Sequence, residues 1–180
     1  MFKSLTFIVL AVLVVGVVVA DKACCSSRKT KINRTTVAKL DINRYLGLWY
    51  EIARFDNRFE RDLTHVTAFY SLNSKGGIKV ENKGYNTVLK EWTTAVGRAK
   101  RTKQVGRLRV SFFWIFFSDY NILALGDTGV EGQPYEWALV GSKSSAYLWI
   151  LARKSKLDND TLKHIEDIAI SRGYDVQNFL

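Results

Sequence analysis

The chain is 180 residues long, 47% hydrophobic and 13% aromatic, enough to give one domain a sizeable core and too little to favour two. Its net charge of +10 is concentrated ahead of the domain: from Leu40 onward 20 basic residues stand against 16 acidic ones, too even a balance for a nucleic-acid binder. The two cysteines, Cys24 and Cys25, are adjacent, so the rest of the chain has neither a disulfide nor a cysteine nucleophile.

Met1-Phe2-Lys3 and the apolar run from Leu5 to Ala20 have the order of a secretory signal: a basic start, an apolar middle, then small residues. Residues 1–23 are therefore expected to be a signal or anchor segment, the run being short for a permanent span of about 20 apolar residues. Cys24 follows directly and is the candidate for lipidation, although Asp21 and Lys22 stand where a bacterial lipoprotein signal has an aliphatic and a small residue. Cleavage after Ala20 is the alternative. Residues 24–39 read as a flexible basic tether, in which Arg28, Lys29, Lys31 and Arg34 have no acid among them. Each would gain about 1 kcal/mol beside an anionic lipid surface.

The domain is expected over residues 40–180. A short turn at 41–46 leads into Gly47-Leu48-Trp49-Tyr50-Glu51-Ile52-Ala53-Arg54. Strict alternation would place Trp49, Glu51, Ala53 and Phe55 on one face, and Tyr50, Ile52 and Arg54 on the other. Further strands are predicted over 65–73, 78–85, 90–100, 107–113, 120–125, 136–141 and 146–153, separated by polar turns. Asn73-Ser74-Lys75-Gly76-Gly77 is a strong hairpin signal, because its glycines can take the positive φ of a tight turn. After the last strand the period changes. Asn159-Asp160 can cap a helix whose apolar positions are Leu162, Ile165, Ile168 and Ala169, and Gly173 can stop it. The expected fold is all-β: an eight-stranded antiparallel up-and-down barrel with one C-terminal α-helix packed outside. Short connections favour next-neighbour pairing, and closure removes the edges that an open sandwich would expose.

The glycine-tryptophan pair of the first strand is followed in order by Asn82-Lys83-Gly84-Tyr85-Asn86, Tyr120-Asn121-Ile122-Leu123-Ala124-Leu125, Tyr135-Glu136-Trp137-Ala138-Leu139-Val140 and Tyr147-Leu148-Trp149-Ile150-Leu151-Ala152-Arg153. From about Leu40 to the C-terminus this series resembles the lipocalin family, specifically the bacterial outer-membrane lipoprotein lipocalins. The resemblance implies that Gly47, Trp49 and Arg153 form a structural base, with the guanidinium packed on the indole at the closed end of the barrel. It further implies a non-catalytic protein that binds, stores or transports a hydrophobic ligand, fatty acid or lysophospholipid, in the cell envelope. If lipidated, the protein would sit at the outer membrane facing the periplasm, and otherwise it would be periplasmic or secreted.

Nothing in the residues argues for catalysis. His65 and His164 are the only histidines and are far apart in sequence, so no metal site is expected, and no cofactor. Asp56, Glu60 and Asp62 alternate with Arg58 and Arg61 and read as a solvated loop. No serine has a convincing histidine partner. What remains is the barrel interior, for which Tyr70, Tyr85, Val110, Phe112, Tyr120, Trp137 and Trp149 are the candidate ligand-lining residues. Burial of an acyl chain is worth about 0.8 kcal/mol per methylene, so a single tail can supply affinity without a charge contact.

Phe112 to Phe117 are six bulky apolar residues in succession, more than alternation can turn inward. They read either as a loop folded over one end or as a contact surface, with Trp114, Ile115, Phe116 and Phe117 touching a membrane or a second copy of the chain. The neighbouring Arg98, Lys100, Arg101, Lys103, Arg107 and Arg109 read as a solvated outer face that lipid phosphates could also meet. The competing functional class is an envelope protein-interaction module whose barrel is filled by its own side chains.

Overall fold

The computed structural model describes residues 31–74, 76–113 and 116–180, with Phe113 described by its backbone alone. The signal segment, Cys24, Trp114 and Ile115 lie outside the described residues. Eight antiparallel strands follow in order: β1 (Gly47–Arg54), β2 (Leu63–Leu72), β3 (Ile78–Asn86), β4 (Glu91–Arg101), β5 (Arg107–Phe113), β6 (Phe116–Leu125), β7 (Trp137–Gly141) and β8 (Leu148–Ala152). Each pairs with its sequence neighbour and β8 returns to β1, so the sheet is a closed barrel. Every strand has a partner on both sides, β4 meeting β5 over Arg98 to Arg101.

Connections alternate between the two ends. One end holds the short helix α1 (Ile42–Tyr45), the start of β1 and the turns β2–β3, β4–β5 and β6–β7; the other holds the β1–β2, β3–β4, β5–β6 and β7–β8 connections. The first end is closed, because Ile42 and Tyr45 of α1 are buried beneath the barrel. Asp41 caps α1 by accepting from the backbone N–H of Asn43.

Alternation divides the apolar side chains into two sets. Trp49, Ala68, Tyr70, Val80, Leu108, Ile122, Val140 and Leu151 point inward into one cluster. Leu139, Leu148, Ile150 and Ala152 point outward, where they meet Ile165 and Ala169 of α2 (Asn159–Ser171). The apolar outer faces of β7 and β8 are thus covered by the helix, as the sequence predicts. The cap is Asp158, one residue earlier than expected, accepting from the N–H of Thr161 at 2.8 Å. Gly173, at φ +88°, follows the last turn.

Three features depart from the sequence reading. In β1 the register steps from Glu51↔Leu151 to Ala53↔Ile150, so Ile52 is an extra residue in a bulge. Ile52 and Ala53 therefore both pack on the outer cluster, and Arg54, paired with Trp149, turns inward instead of outward. The β6 strand starts at Phe116, paired with Phe113, so Phe112, Phe113, Phe116 and Phe117 belong to paired strands. Finally, residues 32–37, counted above in the tether, run along the barrel. The N–H groups of Asn33 and Val37 donate to the carbonyls of Arg172 and Ile122 at 2.8 and 3.0 Å. Ile32 packs on the outer cluster, and Val37 and Leu40 pack on the inner one.

Candidate functional site

The closed end is built around Trp49 and Arg153. Trp49 is completely buried, its indole N–H donating to the Tyr45 carbonyl at 2.8 Å. The Arg153 guanidinium lies 3.7 Å from the centre of the indole ring and donates to the carbonyls of Tyr135, Leu48, Arg44 and Leu46 at 2.7–3.0 Å. One cation thus satisfies four carbonyls around the base of the barrel. Gly47 precedes it at φ +94°, a conformation that a side chain would strain. Nearby, Arg44 forks onto Asp127 at 2.6 and 3.1 Å, and its Nε donates to the Gln133 carbonyl, which ties the long β6–β7 loop to α1.

Just above this base lies a group of three tyrosines. The Tyr45 and Tyr120 hydroxyls are 2.7 Å apart, and the Tyr70 hydroxyl donates to that of Tyr120 at 3.0 Å. Burial pushes Tyr45 and Tyr120 well above the ordinary phenol range and Tyr70 to about 12, so all three are neutral hydroxyls.

The wall above the floor is asymmetric. On β2, β3 and β4 the inward positions include Ala68, Gly84, Ala95, Gly97 and Ala99, all small, and Ala95 is exposed despite facing the lumen. Facing them are the larger Val110, Phe112, Tyr120, Trp149 and Leu151; the first four of these are only partly buried. Phe112 lies so close to Gly97 that an added Cβ there would come within 2.7 Å of its ring. The exposure of Ala95 and the partial exposure of Val110, Phe112, Tyr120 and Trp149 show that solvent reaches part of the inward face.

The mouth is polar. Glu51 faces inward with Trp49, and Arg54 Nη1 donates to its carboxylate at 2.5 Å. Arg54 Nη2 donates to the carbonyls of Glu60 and Leu63, so the guanidinium pins the β1–β2 loop to the rim. The Glu60 carboxylate accepts from Asn57 Nδ2 at 2.7 Å and from the Trp149 indole N–H at 2.9 Å. Burial, reinforced by the charge of Glu60 and opposed by Arg54, raises the Glu51 carboxyl to about 7.

Of the predicted lining residues, Tyr70, Val110, Phe112, Tyr120 and Trp149 are on the inner wall. Two are not. Tyr85 pairs with Trp92 on the outer face, the rings 5.7 Å apart, because the inward parity of β3 is that of Ile78, Val80, Asn82 and Gly84. Trp137 also points outward and packs edge-on to His164 of α2, since Ala138 and Val140 hold the inward positions of β7. Tyr45, Glu51, Arg54 and Glu60 were not foreseen. Glu51 shares the parity of Trp49 and was legible; Arg54 turns inward only because of the bulge, and Glu60 reaches Trp149 across the fold. Phe116, 75% exposed, is at the tip of the β5–β6 hairpin, while Phe117 lies on the outer face under Arg98, Lys100 and Arg109, whose charged groups are 4.9–6.0 Å from its ring.

Residues 40–180 match the lipocalin-like domain family. The chain is a lipocalin. Over 158 residues, 87% of the chain and 86% of the relative, it is 42% identical to the outer membrane lipoprotein Blc of Escherichia coli K12. It is 36% identical over 146 residues to the Blc of Vibrio cholerae, with 80% and 82% covered. Temperature-induced lipocalin-1 of Arabidopsis thaliana is 31% identical over 149 residues, covering 78% and 77%. Among solved structures, the cockroach allergen Per a 4 has a TM-score of 0.63 at 21% identity, covering 81% of this lipocalin and 88% of the allergen. Insecticyanin of Manduca sexta has a TM-score of 0.63 at 17% identity, covering 81% and 82%; both structures attest the fold alone.

Proposed function

We propose that this lipocalin is a non-catalytic carrier that stores or transports one single-chain lipid, a fatty acid or lysophospholipid, in the cell envelope. The supporting observation is the lumen: an apolar wall with small residues on β2–β4, facing large side chains that their own neighbours leave partly uncovered. An acyl tail laid there gains about 0.8 kcal/mol per methylene removed from water. The envelope setting draws support from the relatives named outer membrane lipoproteins. Native mass spectrometry after gentle purification is expected to find one lipid per chain, and added lysophospholipid or fatty acid to displace a lipid-reporting dye. Absence of both would favour a filled barrel that acts through its surface.

The open rim supplies a route for delivery. Phe116, the first residue of β6, and Phe59, 75% and 58% exposed, lie at that one end with the exposed Val88 and Leu89. Arg58 lies over the Phe59 ring. An apolar rim beside cations fits a lipid surface. Phe116→Ser is expected to reduce co-sedimentation with anionic liposomes several-fold, and unchanged sedimentation at unchanged monomer mass would remove the contact. Anchorage through Cys24 is part of the same proposal. Mass spectrometry of the mature N-terminus tests it, since an unmodified peptide starting at Asp21 would remove the anchor.

A further inference from the structure

We propose that the outer wall of β3, β4 and β5 is a docking surface for an anionic lipid bilayer, which the barrel meets on its flank with α2 turned away. This surface is on the outside of the barrel and stands apart from the carrier reading, because it requires no lipid in the lumen.

Charge is unevenly divided along the chain. Residues 79–109 hold nine basic side chains and two acidic ones, a net +7, although residues 40–180 together net only +4. The remainder of the domain is therefore net negative. Residues 157–175, which include α2, hold five acids and two bases. The fold puts these two stretches on opposite sides: α2 packs outside β7 and β8, and β4 is the strand farthest from β8 in the closed order. A barrel charged in this way turns its β4 side toward an anionic surface as it approaches.

Register gathers the cations on one face. Val80, Ala99 and Leu108 point inward, so their neighbours Lys79, Arg98, Lys100, Arg107 and Arg109 point outward. Lys79 stands directly opposite Arg98, and Lys100 directly opposite Arg109. Like charges that face each other across paired strands oppose folding. Two such pairs side by side serve the sheet poorly and suit an external anion well. Glu81 meets Lys79 at 3.0 Å and Asp119 meets Arg109 at 3.4 Å, which sets five cations against two acids among the described residues of this face. Arg98, Lys100 and Arg109 also converge on the Phe117 ring, their charged groups 4.9–6.0 Å from its centre.

The apolar groups beside these cations select a bilayer over an acidic protein. On the same outer face of β4, Val96 and Trp92 are 55% and 54% exposed, and the Lys83 ammonium lies 5.0 Å from the centre of the Trp92 ring. Phe116, the first residue of β6, joins this wall to the rim. Aromatic rings among cations suit the boundary between lipid headgroups and acyl chains, where the rings enter and the cations stay with the phosphates. A second copy related by a two-fold axis would instead bring the same cations face to face.

The test is vesicle flotation of the mature protein carrying Cys24→Ser, so that no acyl chain contributes. Vesicles of phosphatidylglycerol and phosphatidylethanolamine are compared with vesicles of phosphatidylcholine. Binding is expected on the anionic vesicles alone and is expected to fall at high salt. Arg98→Gln with Lys100→Gln is expected to weaken it about thirtyfold. Lys143→Gln with Lys163→Gln removes the same charge from the β7–β8 connection and α2, and should bind as the parent does. Both variants are checked by circular dichroism, and displacement of a lumen dye by lysophosphatidylcholine should be unchanged in both. Lys79→Gln with Lys100→Gln, which takes one cation from each opposed pair, replaces the first variant if that one does not fold. Equal losses in the flank and control variants would mean that net charge alone acts, and would overturn the proposal. Equal binding to phosphatidylcholine would overturn it too, as would retention on polyglutamate as strong as on anionic vesicles, or a parent dimer that the flank variant splits. Failure of the dye and lysophospholipid to enter the lumen would instead remove the carrier reading and leave this surface standing.

Discussion

Arg153 illustrates how one side chain can serve the whole base of a fold. Its guanidinium stacks on a fully buried indole and closes four hydrogen bonds to carbonyls from two segments, residues 44–48 and Tyr135. Removing it leaves those carbonyls without their donor and the indole uncovered. Arg153→Ala is expected to destabilise the protein by about 2–4 kcal/mol and Trp49→Ala by about 3–5, measured by urea denaturation. Loss of lipid affinity at unchanged stability would contradict this structural role. Glu51 makes the opposite kind of prediction. Its carboxyl, raised to about 7 from 4.5, binds a proton in the folded state that the unfolded chain has already released. Stability linked to Glu51 is therefore greatest at acid pH and falls as pH rises through about 7. Glu51→Gln should gain stability over the parent at pH 8, on the order of 1–3 kcal/mol, and little at pH 4. Equal melting shifts at the two pH values would show that the carboxyl is not titrating there.

At the scale of elements, most of what periodicity can reveal is present. The strands from β1 to β8 lie within a few residues of their predicted ranges, and α2 has the expected buried positions Ile165 and Ala169. Asp158→Ala should lower stability by about 1 kcal/mol, the usual worth of an N-cap, in thermal melts. What the pattern missed were irregularities. The bulge at Ile52 reverses the parity of β1 for its last residues, and nothing in Glu51-Ile52-Ala53-Arg54 announces it, because an inserted residue is paid for by partners on β8. Tyr85 and Trp137 were misplaced for a related reason: an aromatic residue suits either face of a sheet when both faces carry apolar groups. Arg172 shows the tertiary origin of the N-terminal strap. It donates to the Thr35 carbonyl at 2.7 Å and to that of Leu123 at 2.6 Å, fastening residues 32–37 to β6. Arg172→Ala is expected to raise proteolytic cleavage in this segment, assessed by limited digestion; an unaltered pattern would mean that Ile32 and Val37 hold it alone.

For the whole molecule, closure is the property from which the candidate site follows. It brings β1 beside β8, so that Glu51, Arg54 and Trp149 share one rim and Trp49 meets Arg153 at the base. A bound lipid should raise the melting temperature with the logarithm of its concentration, since it engages the closed barrel and not the unfolded chain. The sequence by itself determined the all-β class, the strand order and the outer helix, because these depend on alternation, helical spacing and local turn residues; the pairing of Trp49 with Arg153 was implied by the family resemblance. Only the tertiary structure decided which polar groups face the lumen: the tyrosine trio, the inward Arg54 and the reach of Glu60 to Trp149 arise from registers between strands distant in sequence, which no single segment encodes.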